Sequence, residues 1–287
     1  MCDEQTERDL DQLSRRELAS IAGSLAIAAA FPASASAAAA MRVVERAVSV
    51  KTPDGVTDAY FVAPATGKHP GVIVWPDIFG LRPALQQMYK RLAGSGYAVL
   101  VVNPFYRSGK APVTPPGAQY DEAFRAIIGP MRALLTPDAV ARDAKAFVAF
   151  LDAQKSVDRA RKIGASGYCM GGALVLRTAA AVPDRIGAGA SFHGGSLATD
   201  APDSPHRLIA ATKAQFLIAA AANDDQKDPE DKNRLRAAFD AAGRKAEIEV
   251  YAGAMHGWCP PDSRAYNAVQ AERAWQRMLA LFGSALA

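Results

Sequence analysis

Gly167-Tyr168-Cys169-Met170-Gly171-Gly172 lies between a segment that reads as a strand, Lys162 to Tyr168, and a stretch of helical spacing, Gly171 to Ala181, that Pro183 ends. A buried strand thus passes into a helix through a tight turn with a cysteine at its tip. Glycines stand two places before and two places after that cysteine. This is the spacing of an elbow that presents a nucleophile. Such a turn is crowded, so its flanking positions must lack side chains. It lifts the sulfur off the sheet to the N-terminus of a helix, where the dipole stabilises a thiolate. The amide of Met170 then points where an oxyanion would form. Taken alone, the same six residues also describe a buried cysteine beside packing glycines. The surrounding pattern decides between the two.

On both sides of the elbow, strands and helices alternate. Upstream, Arg46 to Val50 and Ala59 to Ala63 read as a hairpin around Pro53-Asp54-Gly55. Gly71 to Trp75 and Tyr97 to Val102 are continuous apolar runs, as expected of strands buried on both faces. Ala84 to Ala93 is helical and stops at Gly94 and Gly96. Asn103 to Pro137 is irregular and proline-rich, with a helical piece near Glu122 to Ile128. An insert of that length in a compact domain points to function. Thr136 caps a helix from Pro137 to Gln154. Downstream, Ile186 to Phe192, Gln215 to Ala221 and Ala246 to Tyr251 are strands. Pro229 to Ala242 and Arg264 to Phe282 are helices. The alternation predicts an α/β fold: a mostly parallel sheet with helices on both faces, one domain over residues 41–287.

An elbow of this kind calls for an acid and then a histidine, each on a loop after a later strand. Asn223-Asp224-Asp225 follows the strand that ends at Ala221, and His256 follows the strand that ends at Tyr251. A helix-capping Asp or a loop His is common alone. A thiol, a carboxylate and an imidazole in that order, each at a strand's C-terminal end, are far less accidental together.

These residues resemble the dienelactone hydrolase family of α/β-hydrolases. That family carries a G-x-C-x-G-G elbow with an aromatic before the Cys, here Tyr168. Asp77-Ile78-Phe79-Gly80 is similar to its acid-Ile-Phe-Gly segment, and Met255-His256-Gly257-Trp258 to its segment around the histidine. The likeness runs from about Lys51 to Phe282. It implies an α/β-hydrolase fold and a Cys169–Asp225–His256 triad, with the amides of Ile78 and Met170 as oxyanion hole. Asp225 is preferred over Asp224 because the family's acid stands four places before a proline, here Pro229. Asp77 occupies the place of a Glu that interacts with the resting thiol. Asp77, His193 and Trp258 are expected around the substrate. Members that process dienelactones have an arginine four places after the histidine, where this chain has Pro260. An arginine grips a carboxylate through two parallel hydrogen bonds, and proline cannot. Arg107 and Arg125 are the candidates to replace it, or else are solvated surface arginines. The reading implied is a hydrolase of small esters or lactones that needs no cofactor and no metal. The alternatives are an α/β-fold binding or thiol-sensing protein, or a redox protein using Cys169 and Cys259, although no C-x-x-C pair is present.

Composition narrows the class. Of 287 residues 50% are hydrophobic and 22% charged, so a large core is available and wholesale disorder is excluded. Lys and Arg number 33 against 29 Asp and Glu. No basic run suggests a nucleic-acid groove. Three cysteines are too few for a disulfide framework, and four scattered histidines mark no zinc site. Residues 1–40 read as an address. Arg15-Arg16 precede an uncharged, Ala-rich run to Met41, with A-x-A patterns such as Ala33-Ser34-Ala35. The arginine pair is similar to a twin-arginine export signal. Cleavage, transient contact with export machinery and a periplasmic or secreted mature chain are expected. The other reading is an N-terminal membrane anchor.

Overall fold

Pro53 and Asp54 turn the chain between β1 (Val43–Thr52) and β2 (Gly55–Pro64). The strands pair antiparallel from Val43↔Pro64 to Thr52↔Gly55. Gly55 sits at φ +144°, which a residue without Cβ reaches at little cost. The computed structural model describes residues 40–287. The export segment expected over residues 1–40 therefore lies, but for Ala40, outside the described residues.

Six further strands follow: β3 (Gly71–Trp75), β4 (Ala98–Val102), β5 (Ile163–Tyr168), β6 (Ile186–Phe192), β7 (Gln215–Ala221) and β8 (Ala246–Tyr251). One sheet holds all eight in the order β1-β2-β4-β3-β5-β6-β7-β8. β1, β2 and β4 are joined antiparallel, and β4 through β8 run parallel. This is the mostly parallel sheet that the alternation predicts, in keeping with the α/β-hydrolase fold that the resemblance implies.

The period of two along each strand sorts side chains onto two faces. Ile73, Trp75, Leu100 and Val102 join one core with α3 (Pro137–Asp152), α4 (Met170–Ala181) and α6 (Asp231–Ala241). Val72, Val74, Val99 and Val101 join the other with α1 (Pro83–Gly94) and α7 (Ala268–Ala285). Each large apolar side chain so buried contributes about 1.5–3 kcal/mol. Buried polar tips are paired across the layers. Trp75 Nε1 donates to Thr178 Oγ1 at 2.9 Å, and the Tyr89 hydroxyl meets Ser166 Oγ at 2.8 Å.

The insert forms α2 (Glu122–Ala133), longer than the sequence suggests. Asp121 caps it by accepting from Phe124 N, and the helix continues through Pro130. Phe124 and Ile128 pack with Ile78 and Phe105 in a small separate core. That contact fixes α2 above the C-terminal end of β3. Two other boundaries move. A short helix, α5 (Ala222–Lys227), follows β7 directly, and α7 starts at Ala268 because Asn267 Oδ1 accepts from Gln270 N. Residues 260–267 are left as loop.

Candidate active site

The C-terminal ends of β3, β5, β6, β7 and β8 meet at one edge of the sheet. The loops there carry Asp77, Cys169, His193, Asp224 and His256.

Cys169 has φ +50° and ψ −117°. A non-glycine residue held there costs of order 1–3 kcal/mol, so its surroundings must fix it. Its amide donates to Phe192 O at 3.0 Å and to His193 Nδ1 at 3.1 Å. Its carbonyl accepts from Gly172 N at 3.0 Å. The flanking glycines are sterically required. A Cβ on Gly167 would stand 2.2 Å from Gly171 O, and one on Gly171 2.3 Å from Trp75 O.

His256 is buried. Its Nδ1 donates to Asp224 Oδ2 at 2.6 Å, and its backbone N donates to Asn223 Oδ1 at 2.8 Å. The sequence-based preference for Asp225 as its partner is therefore corrected. Asp225 Oδ1 instead accepts from Lys232 Nζ of α6 at 2.5 Å. The reason is α5: neighbours on a helix point about 100° apart, so only one of the two acids can face the imidazole. Counting back from Pro229 does not register that extra turn. Burial alone pulls His256 toward the neutral form. The charge of Cys169, then the hydrogen bond to Asp224, outweigh it and raise the pKa to about 9. Thiol, imidazole and carboxylate are thus electrically coupled in sequence.

Ile78 and Met170 border, with Cys169, a recess of about 30 Å³. Asp77 lies on the wall of the main cavity and is almost fully buried. Burial raises its pKa, and Arg82 opposes that through charge and hydrogen bonds. Arg82, which sequence reasoning missed, dominates this side of the cavity. Its Nη1 and Nη2 clasp both Asp77 oxygens at 2.7 and 2.9 Å. Its Nε and Nη2 reach Asp262 at 2.7 and 3.0 Å, and Nη1 also reaches Gly80 O at 3.3 Å. All five guanidinium N–H donors are thereby engaged. In sequence Arg82 is one arginine before Pro83, with nothing local to mark it.

The cavity measures about 900 Å³, and Cys169, His193 and His256 share its wall with Thr114, Gln119 and Tyr120 of the insert. Pro260 also lines it. Trp258 does not. It is buried against His193, 5.1 Å between ring centres, and stacks on Tyr251, which corrects its expected place beside the substrate. Neither of the two arginines named as candidates to replace the missing one lines the cavity. Arg107 binds the buried Asp143 at 2.8 Å and Asp54 at 2.7 Å, and Arg125 lies over the Tyr120 ring outside the cavity wall. Cys259 is a free thiol in the apolar core beneath α1 and α7, and burial pushes its pKa well up. Among the described residues, no group of three or more His, Cys, Asp or Glu is placed to hold a metal ion.

Comparison with known proteins agrees with this architecture. The chain is 28% identical over 236 residues to a protein of Methylorubrum extorquens named as a candidate carboxymethylenebutenolidase, covering 80% of this chain and 78% of that one. It is 27% identical over 220 residues to the carboxymethylenebutenolidase of Rhodococcus opacus, covering 76% and 82%. The fold superposes on the crystal structure of a candidate dienelactone hydrolase from Klebsiella pneumoniae with a TM-score of 0.74, at 24% identity, over 85% of this chain and 99% of that one. The model of the dienelactone hydrolase family matches residues 57–286, from β2 to the end of α7, and the chain belongs to that family.

Proposed function

We propose that the protein hydrolyses neutral carboxylic esters or lactones through an acyl-enzyme formed on Cys169. The observation that carries this is the line Asp224–His256–Cys169 opening on one cavity wall at the sheet edge. Family membership favours turnover over the binding or thiol-sensing alternative.

His256 takes the Cys169 proton, and the thiolate attacks the carbonyl carbon. Negative charge moves to the carbonyl oxygen, which the amides of Ile78 and Met170 receive in the recess beside the sulfur. The intermediate collapses, the carbon–oxygen ester bond breaks, and the imidazolium returns its proton to the leaving alkoxide. Water, deprotonated by His256, then attacks the thioester. The acid leaves and the thiol is restored. Asp224 holds the imidazole with Nδ1 protonated, so that Nε2 does the proton work.

Three features support a neutral substrate. Pro260 offers no donor where dienelactone-processing members have an arginine. Arg107 is committed to Asp54 and Asp143. Arg82 faces the cavity but spends its donors on Asp77, Asp262 and Gly80. A substrate carboxylate would have to displace one of those acids. The cavity, near the upper end of the usual range of about 300–1,000 Å³, has room for an acyl or alcohol group larger than a butenolide. A panel of aryl and alkyl esters and lactones, with and without carboxylates, tests this. Hydrolysis of neutral members, lost in Cys169→Ala, is the expected result.

A further inference from the structure

His193 is the buried histidine that the scheme above leaves idle. It follows β6 at φ +40°, an unusual conformation for a residue with a side chain. Its amide donates to Ala219 O at 2.8 Å, which pins the backbone to β7. Its Nδ1 accepts from the Cys169 amide at 3.1 Å. A nitrogen that accepts carries no proton, so the neutral ring bears its hydrogen on Nε2. Nε2 is itself buried and makes no hydrogen bond. The ring stands edge-on to that of His256, 5.0 Å between centres, and at 5.1 Å from Trp258. Tyr168 flanks it at 5.8 Å. So one imidazole touches both the residue that carries the thiol and the residue that exchanges its proton.

The geometry points to His193 as a positioning residue: a neutral ring that holds the Cys169 amide and abuts His256, fixing their separation. This rests on the reading of Cys169 and His256 as the reacting pair. A strained elbow held partly by one side-chain acceptor loses its preferred orientation without that acceptor. The ring must stay neutral, because a proton on Nδ1 would face the Cys169 N–H. The titratable groups facing it are Cys169, His256 and Tyr168. Burial, followed by the charge of His256, holds the His193 pKa well below its ordinary value, against the opposite pull of Cys169. Burial holds Tyr168 in its protonated form.

The test uses the full chain and two readouts between about pH 5 and pH 10: kcat and KM for an activated aryl ester, and the rate of Cys169 alkylation by iodoacetamide. His193→Phe keeps a ring without an acceptor. His193→Asn restores an acceptor and suits a positive φ. For His193→Phe we expect kcat to fall about thirtyfold with KM changed less than about threefold, and the pH midpoint of alkylation to move. His193→Asn should recover about tenfold of that loss. Circular dichroism selects folded protein, and His193→Ala takes the place of a His193→Phe that does not fold. A folded acceptor-free variant with kcat within about threefold of wild type would overturn the proposal. Equal losses with and without an acceptor would do the same. Cys169→Ala separates the two levels. If it still turns over, the reading of the reacting pair fails and this proposal with it. If it is dead while His193→Phe is active, only the role of His193 fails.

Discussion

At the scale of single residues, two adjacent carboxylates separate what sequence can and cannot decide. The order thiol, acid, histidine is legible because each type follows a segment that reads as a strand in the alternating pattern. Which of Asp224 and Asp225 meets His256 is not legible, because it depends on the angular phase of a six-residue helix. Asp224 accepts from His256 Nδ1, while Asp225 is tied to Lys232. Asp224→Asn should therefore lower kcat by about a hundredfold or more, and Asp225→Asn by less than about threefold, in matched steady-state assays. The reverse ranking would remove Asp224 from its role. A second prediction concerns protonation. The His256 pKa, about 9, is raised chiefly by Cys169 against the effect of burial. Imidazole titration by NMR should give a lower value in Cys169→Ala than in wild type. Linkage adds a sign. A histidine whose pKa rises on folding adds stability that is complete below its unfolded value of 6.5 and is lost as pH climbs through about 9. Thermal unfolding of wild type should therefore weaken across that window more than that of His256→Gln.

At the scale of elements, the strands are the part that sequence states best. β3, β4 and β5 are buried throughout, and for β3 and β4 an unbroken apolar run has few other uses at that length. Helix ends are less legible, because they turn on capping. Thr136 announces α3 by its position before Pro137 and does accept from Ala139 N. Asn267 caps α7 just as well, yet nothing in the run from Arg264 shows that the helix waits for it. The residues it leaves outside, Arg264 and Ala265 among them, border the cavity. The insert shows the same limit. Its length sets it apart in the sequence, but its contact with the cavity through Thr114, Gln119 and Tyr120 is not readable there. The elbow is where element and chemistry meet, and it yields a stability prediction. In Gly167→Ala the new Cβ would meet backbone atoms at 2.2 and 2.4 Å, which no rotamer can relieve. The expected loss is about 3 kcal/mol or more in denaturant unfolding, with activity falling alongside. A loss below about 1 kcal/mol would mean that the turn opens more easily than its packing implies.

At the scale of the whole molecule, net charge bears on which substrates the protein attracts. Removing the three basic and six acidic residues of the first forty leaves 30 cations against 23 anions. That excess attracts anions only at long range, and salt screens it over about 10 Å. Within the cavity Arg82 is neutralised by Asp77 and Asp262. A butenolide without a carboxylate should thus be hydrolysed with a kcat/KM at least equal to that of its carboxylated twin. A preference for the anion above about a hundredfold, roughly 2.7 kcal/mol, would mean that a cavity-wall arginine, Arg82 or Arg264, takes the substrate carboxylate. Export is the matching proposal for residues 1–40. N-terminal sequencing of protein from its host should find a start near residues 36 to 42, and intact residues 3 to 30 on a soluble chain would contradict it. Whether Cys169 carries the acyl group is decided by intact-mass spectrometry of protein quenched in acid within the first turnovers of an activated aryl ester. The expected result is one added acyl mass, mapped by digestion to the peptide that contains Cys169 and absent from Cys169→Ala, which does not turn over. An acyl group on another residue, or undiminished turnover by Cys169→Ala, would contradict it.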